Sequence, residues 1–461
     1  MKGLEKDLAR LVGKAMVKTD PADLMAYESD AIHDYARGKP EAIVLPNTTD
    51  DVATVVTYAY NNRIPVTPRG AGSGLSGGCT PVQGGIVLDT KRMNKIIEIN
   101  PGNLTGKAEC GVVVSRYHRA VEKQNLFYPP DPQSMTVCTL GGNVATRAGG
   151  PHGVKYGTTS NYVLGLEVVL PDGSIINTGG SCVKQAVGYD LTHLLTGSEG
   201  TLGVITKVTT RLLPKPPADQ TIIVTCETPE QASDLVSAII AAGIVPAMLE
   251  YVPQAAIGFI NEYLTPPLST EGGAFLFIKL DGLEVQIAEE SKRVEAVCTH
   301  LKAIDVRVAA GKKEADSYWK ARSMLYPLMV SVMKKVINED VTVPRDRFPE
   351  FIRAMVDLSA KIGLMIGFAG HAGDGNVHPV ILMSDTDEAT YQKAMTAVRE
   401  IVHTGLRLGG SISGEHGIGL HKASFLEDEL GERQVALLKA IKNTIDPAGI
   451  MNPGKIWVQG D

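Results

Sequence analysis

Five of the chain's ten histidines lie between His371 and His421. Two of them sit in GHAGDGNVHP (Gly370–Pro379). A turn at Gly373-Asp374-Gly375 would close a hairpin and set His371 and His378 on facing strands, with rings near enough to share an ion. Imidazole suits zinc, manganese or iron. Two ligands are too few, so a third must come from elsewhere. The candidate is SGEHGIG (Ser413–Gly419), where Glu415 and His416 are adjacent between glycines. Neighbouring side chains of an extended loop point apart, so Glu415 could face a metal while His416 faces a substrate. The residues alone leave a second reading open: an exposed polar pair in a glycine-rich turn.

A second chemistry is suggested far upstream. Pro68–Gly78 reads PRGAGSGLSGG, and Gly72, Gly74 and Gly77 satisfy G-x-G-x-x-G. A Rossmann turn needs a helix straight after the glycines. Here Cys79-Thr80-Pro81-Val82-Gln83-Gly84-Gly85 follows, which does not start a helix. The remaining reading is a loop whose bare amides form an anion cradle, with Ser73 and Ser76 adding hydroxyls. More glycine clusters follow at Thr139–Gly142, Ala148–Gly150 and Thr196–Gly203. Several such loops suit one long ligand.

These segments need scaffolding. The first forty residues read as a helical lead-in, beginning with an amphipathic helix. From Glu41 to about Arg211 short β-rich runs dominate: Ala42–Leu45, Ile64–Thr67, Gly85–Leu88, Ile96–Ile99, Thr105–Glu109, Leu166–Leu170 and Val204–Leu213. Leu213–Pro217 carries three prolines in five residues and is the expected linker. Beyond it, strand, helix and strand (Thr221–Thr225, Pro229–Ala242, Ala247–Tyr251) are followed by the same order again (Ala274–Leu280, Gln286–Leu301, Val306–Ala309). That double unit suggests a ferredoxin-like α/β layer. Phe348–Ile362 reads as an amphipathic helix, Leu364–Met383 as the histidine hairpin, and Asp387–Leu408 and Gly431–Ile445 as helices.

Length and composition bound the rest. At 461 residues two or three domains are expected. The net charge of −6 argues against a nucleic-acid partner. No apolar run is long enough to span a bilayer, Ile239–Leu249 being short and interrupted by Gly243 and Pro246. The first residues lack the apolar stretch of a secretion signal. The six cysteines are dispersed without a CxxC pair, which argues against an iron–sulfur or cysteine–zinc site and for reduced thiols. The chain is therefore expected in the cytoplasm, or peripheral at the inner membrane through a partner.

Taken with their order and spacing, PRGAGSGLSGG, PPDPQSMTVCTLGGNVAT, KYGTTSNYVLGLEVVLPDG and GSEGTLGVIT resemble the FAD-binding domain of the vanillyl-alcohol oxidase and p-cresol methylhydroxylase superfamily. The chain is similar to its D-lactate dehydrogenase and glycolate oxidase flavoprotein-subunit branch, the D-2-hydroxy acid dehydrogenases. The resemblance implies an α+β fold. Residues 1–40 are the lead-in, 41–214 a two-part FAD-binding domain, and 218–461 a substrate and metal domain whose last segment returns to the flavin. It implies non-covalent FAD, since no flavin-linking His or Cys is evident. Pro68, Arg69, Gly70, Ala71, Gly72, Ser73, Gly74, Leu75 and Ser76 would wrap the pyrophosphate. Pro130, Asp131, Ser134, Thr139, Gly142, Asn143, Gly149, Ile205 and Asn452 would add contacts. Arg147 departs from the family's small or amide residue.

The same resemblance makes His371, His378 and Glu415 ligands of one divalent metal (Zn, Mn or Fe) and His416 the catalytic base. It also makes Arg322 the grip on a substrate carboxylate, with Tyr326 and Lys335 as weaker candidates and Asn376 bonding substrate or a ligand. The implied reaction takes a proton from the hydroxyl of a small D-2-hydroxy acid, D-lactate first, and passes hydride from C2 to the flavin. Without a nicotinamide or cluster motif, the acceptor is expected to be a separate electron-transfer flavoprotein, quinone, cytochrome or iron–sulfur subunit. An oligomer is compatible with this. Other readings are a subunit of a larger glycolate oxidase-type complex, a D-2-hydroxyglutarate dehydrogenase, an oxygen-reducing oxidase, and an alkyl-glycerone-phosphate synthase-like flavoenzyme. A non-catalytic electron-transfer or scaffold subunit is a further one, against which the intact His416 and its neighbouring motif speak.

Overall fold

A computed structural model of the chain describes residues 3–32, 37–264, 266–383, 385 and 387–458. They form two compact units. The first comprises Met1–Gly149, Thr158–Lys215 and Glu415–Asp461. The second comprises Gly150–Gly157 and Pro216–Gly414.

The first unit is built on two sheets. One has the strand order Val17–Lys18, Ala42–Val44, Ile86–Asp89, Val66–Arg69, the last three parallel. The other is antiparallel, in the order Ile96–Asn100, Thr105–Glu109, Val204–Arg211, Val163–Val169, Ile175–Gly179. Aliphatic side chains of both sheets share one core, including Val44, Val66, Leu88, Val168 and Val208. Parallel neighbours need a crossover, and the helix Thr49–Asn62 follows the Ala42–Val44 strand. That helix is a departure from the strand-rich expectation. Its sequence, TDDVATVVTYAYNN, is full of β-branched residues that lower helix propensity. What wins is a capping box between Thr48 and Asp51, with Val52, Val55, Val56 and Ala59 buried at helical spacing.

By compactness, residues from Glu415 onward group with the first unit. Met451 bridges Val66, whose N–H donates to Ile450 O and whose carbonyl accepts from Asn452, each at 2.8 Å. The terminal segment thus satisfies an open strand edge. Buried Lys442 fastens it, donating to Thr201 O (2.7 Å) and Met451 O (2.8 Å) and pairing with Asp446. Leu213–Pro214, expected in the linker, is instead a short strand against Leu126–Phe127.

The second unit contains an eight-stranded sheet in the order Asp305–Val308, Ala218–Cys226, Ala274–Gly282, Met248–Pro253, Met365–His371, Asn376–Met383, Lys335–Asn338, with Val341–Thr342 also on the Asn376–Met383 strand. Numbered by appearance in the chain, the first four strands run 4-1-3-2. With the helices Pro229–Ala241 and Glu284–His300 between them, this is the ferredoxin-like arrangement. The histidine hairpin extends that sheet, Tyr251 pairing with Gly370. Among the described residues, no helix is long and apolar enough to cross a membrane.

Candidate functional site

In the second unit the hairpin registers His371 opposite Asn376 and Ala369 opposite His378. The two histidines are therefore diagonal neighbours on one face. Their ring centroids are 5.3 Å apart and nearly perpendicular. The turn between them fits tightly. Gly373 donates to Leu249 O (3.0 Å), and a Cβ there would lie 2.6 Å from Val154 Cγ2.

One buried carboxylate holds the His371 ring and a second lies near His378, and the reading of the sequence missed both. Glu250 Oε1 is 2.6 Å from His371 Nδ1. Its Oε2 is 2.8 Å from Arg322 Nη2. Glu250 is fully buried. Burial opposes its ionisation, yet His371 and Arg322 hold its carboxyl below the usual range. The second carboxylate, Asp340, accepts from Asn376 Nδ2 and Ser413 Oγ, both at 2.7 Å, and lies 3.8 Å from His378 Nδ1. A signal for Glu250 was present: one acid inside the apolar run Met248-Leu249-Glu250-Tyr251-Val252. Its partner His371 lies 121 residues away in sequence, which no local pattern reveals.

Arg322 lies on the long helix Lys312–Val332. Tyr318, Ala321, Leu325 and Met329 are the buried stripe of that helix, and Arg322 falls on the same face. It is carried inward and ion-paired rather than solvated. Its Nε has no hydrogen-bond partner among the described residues. Tyr326 packs at the edge of the same core, and Lys335 Nζ lies 4.9 Å from the Tyr391 ring centroid. Asn376 spends its amide on Asp340 and Thr342, while its buried Oδ1 has no partner among the described residues. Gly414 packs directly against Asn376 and Thr342 Oγ1, which leaves no room for a side chain.

In the first unit, residues 70–85 contain no helix. Pro68 and Arg69 end a strand, and the glycine loop turns through Gly72 and Gly77, both at positive φ. The loop is less open than a bare amide cradle: Gly77 N donates to buried Asp30 Oδ2 at 2.6 Å, and Gly74 O accepts from Ala31. Arg69 turns its guanidinium to Ser29 O (2.8 Å) and Cys79 Sγ (3.4 Å), over the Tyr27 ring. Gly70 faces Thr139, where a Cβ would lie 2.5 Å from Oγ1. Thr139 caps the helix Leu140–Thr146 by accepting from Gly142 N. That helix carries Asn143, whose buried Nδ2 has no partner among the described residues. Asn452 donates to Gly78 O (2.8 Å) and Glu199 O (2.6 Å), leaving its buried Oδ1 without one.

Other expected contacts are placed as follows. Pro130 O meets His118 Nε2 at 2.9 Å. Ser134 O accepts from Val137 and Cys138, Asp131 is half-buried, and Ile205 is buried in the antiparallel sheet. Arg147 takes a left-handed φ of 55° and donates Nε to Thr196 O at 3.0 Å. Glu415 lies against Gly149, where a Cβ would come within 2.7 Å of Glu415 Oε2. Its Oε1 is 4.0 Å from His416 Nε2.

The donor sets fit both groups expected from the sequence. The buried Asn143 N–H beside glycine-lined turns suits the anionic part of a dinucleotide such as FAD, and the Asn452 Oδ1 acceptor suits one of its N–H or O–H donors. An imidazole tied through one nitrogen to a carboxylate, as His371 is to Glu250, is the arrangement that fixes the tautomer of metal-binding histidines.

Comparison with known proteins agrees on the cofactor. Residues 40–179 match the family described as "FAD binding domain", and residues 215–456 match "FAD linked oxidases, C-terminal domain". The chain is 39% identical to the glycolate oxidase subunit GlcD of Bacillus subtilis (strain 168), covering 99% of this chain and 97% of that protein. It is 38% identical to the D-lactate dehydrogenase of Archaeoglobus fulgidus, covering 90% of each. Its fold superposes on p-cresol methylhydroxylase with a TM-score of 0.81, at 20% identity, over 99% of this chain and 97% of that one. Two matched domains, a glycine-lined nucleotide fold and relatives along the whole length converge: the chain belongs to the FAD-linked oxidases and is an FAD-dependent oxidoreductase.

Proposed function

We propose that this enzyme oxidises a small D-2-hydroxy acid, with D-lactate the first candidate and glycolate and D-2-hydroxyglutarate the next, to the 2-oxo acid. The observation that carries the reading is the buried Arg322–Glu250–His371 array beside His378. It joins a carboxylate-binding cation to paired imidazoles in one place. The names borne by the relatives, glycolate oxidase subunit and D-lactate dehydrogenase, support it.

Pro68–Ser76, Thr139, Gly142, Asn143 and Asn452 would hold FAD, with Pro130, Asp131, Ser134, Gly149 and Ile205 as further contacts. When bound, FAD supplies the acceptor for the hydride leaving C2. His371, His378 and Glu415 would hold a divalent metal, which would supply Lewis acidity toward the substrate. His416 takes the substrate's hydroxyl proton as general base. Arg322 offers the substrate carboxylate its unmatched Nε. Glu250 keeps His371 in one tautomer by accepting from Nδ1. Asp340 orients the Asn376 amide by accepting from its Nδ2. Electrons leave to a separate acceptor, and the word "subunit" in the relative's name favours a partner protein.

The test is anaerobic. The yellow holoenzyme should lose its flavin absorbance with D-lactate, glycolate or D-2-hydroxyglutarate. It should carry about one divalent ion per chain that His378→Ala removes. Flavin reduction in His416→Ala should fall by at least ~10²-fold. A flavin that no 2-hydroxy acid bleaches would sink the reading.

A further inference from the structure

Glu199 is an acid in an unusual place. It sits in the glycine-rich segment Thr196–Gly203, flanked by Gly197 at φ 81° and Gly200 at φ 71°. Glu199 itself adopts φ 52°, a left-handed conformation that costs free energy in any residue with a Cβ and that glycine would take without strain. Such an outlier points to a side chain that is needed where it is.

That side chain is buried. Its Oε1 accepts from Ile418 N at 2.7 Å and its Oε2 from Gly419 N at 2.8 Å. Its backbone carbonyl accepts from Asn452 Nδ2 at 2.6 Å. The segment it grips is the one that carries Glu415 and His416. Gly417 faces the carboxylate so closely that a Cβ would lie 3.0 Å from Oε1, and its φ is 81°. The glycine loop joins the same knot, Ser76 O accepting from Leu420 N at 2.7 Å. Burial pushes the Glu199 carboxyl up, opposed by the two amides and by the Lys455 ammonium. Local charge and hydrogen bonding thus offset part of the cost of burying an acid there.

We propose that Glu199 is a positioning residue, whose carboxylate fixes the loop bearing Glu415 and His416 by binding the amides of Ile418 and Gly419. The proposal rests on the reading of His416 as the base. Backbone amides two and three residues past His416 are clamped by one rigid acceptor, so the imidazole starts from a restricted position. Pre-set geometry of this kind is worth more to a proton transfer than to substrate binding.

Glu199→Gln tests it in the holoenzyme. The amide keeps the length but replaces one acceptor with a donor that faces an N–H. Hydrogen exchange at Ile418 and Gly419 should rise by ~10-fold or more, and the limiting rate of anaerobic flavin reduction should fall by a similar factor. The apparent Kd for the 2-hydroxy acid and the flavin spectrum should barely move. Glu199→Asp, which keeps the charge but is too short to reach both amides, should fall between and serves if the Gln variant does not fold. Unchanged exchange in both variants overturns the proposal, even where reduction is slow. A His416→Ala enzyme that reduces flavin at the wild-type rate removes the base assignment instead, and the exchange rates then still decide whether Glu199 holds the loop.

Discussion

In the first unit the residues around Pro68–Gly78 meet their surroundings mainly through backbone and glycine space. In the second unit the residues around the Met365–Met383 hairpin do so through buried charge: Glu250 against His371 and Arg322, Asp340 against Asn376 and Ser413. On the proposed function, the difference follows from what each would hold. A long phosphate-bearing cofactor is matched by many amides and small residues spread over several loops. A small acid and its proton are matched by few groups held stiffly, each of which must itself be neutralised once it leaves water.

The comparison can be broken by removing one element from each side. Glu250→Ala strands the Arg322 guanidinium and His371 in a buried site, so it should cost about 3–5 kcal/mol of stability, read as a fall in the urea midpoint. A loss under about 1 kcal/mol would mean that the second unit does not depend on that charge array. Gly141→Ala tests the first unit. A Cβ there would lie 2.5 Å from Cys110 Cβ and 3.1 Å from Cys110 O. Alanine gains about 1 kcal/mol of helix propensity, but the overpacking costs about 1–3 kcal/mol. The variant should be less stable and bind FAD more weakly by flavin titration.

Smaller effects sharpen the contrast, because the first unit also buries charge. Burial pushes the Lys455 ammonium down from 10.5 to about 8. Between those values the unfolded chain binds more protons than the folded one, so the contribution of Lys455 to stability rises with pH. From pH 8 to 9 the wild type should gain up to about 1 kcal/mol more than Lys455→Met, measured by denaturant unfolding at each pH. Least costly of all is thiol labelling. Cys182 is exposed, whereas burial pushes Cys110, Cys226 and Cys298 up to about 12. The native enzyme should take up iodoacetamide at Cys182 first, as peptide mapping would show.

Much of the architecture is legible in the sequence. Strand and helix periods from Thr221 to Ala309 located the ferredoxin-like elements. The Gly373-Asp374-Gly375 turn located the histidine hairpin, since turn chemistry and alternation act over a few residues. The helix Thr49–Asn62 was not seen, because its β-branched composition hid a capped amphipathic helix. Glu250, Asp340, Asp30 and Glu199 were not seen either. Apart from the apolar run around Glu250, nothing adjacent to them in sequence distinguishes a buried acid with partners from a solvated one.

The sequence by itself determined the kinds of group available: the glycine-dense loops, the paired histidines, Glu415 beside His416, and an arginine on a helix. Those are local facts, set by residue type and spacing. Tertiary structure decided which charges those groups face. Arg322 and His371 share one carboxylate from a strand 72 and 121 positions away, and Ile418 and Gly419 share another from 219 and 220 positions away. Such pairings are fixed by the packing of distant elements, where burying an acid is tolerable only if its partners arrive with it.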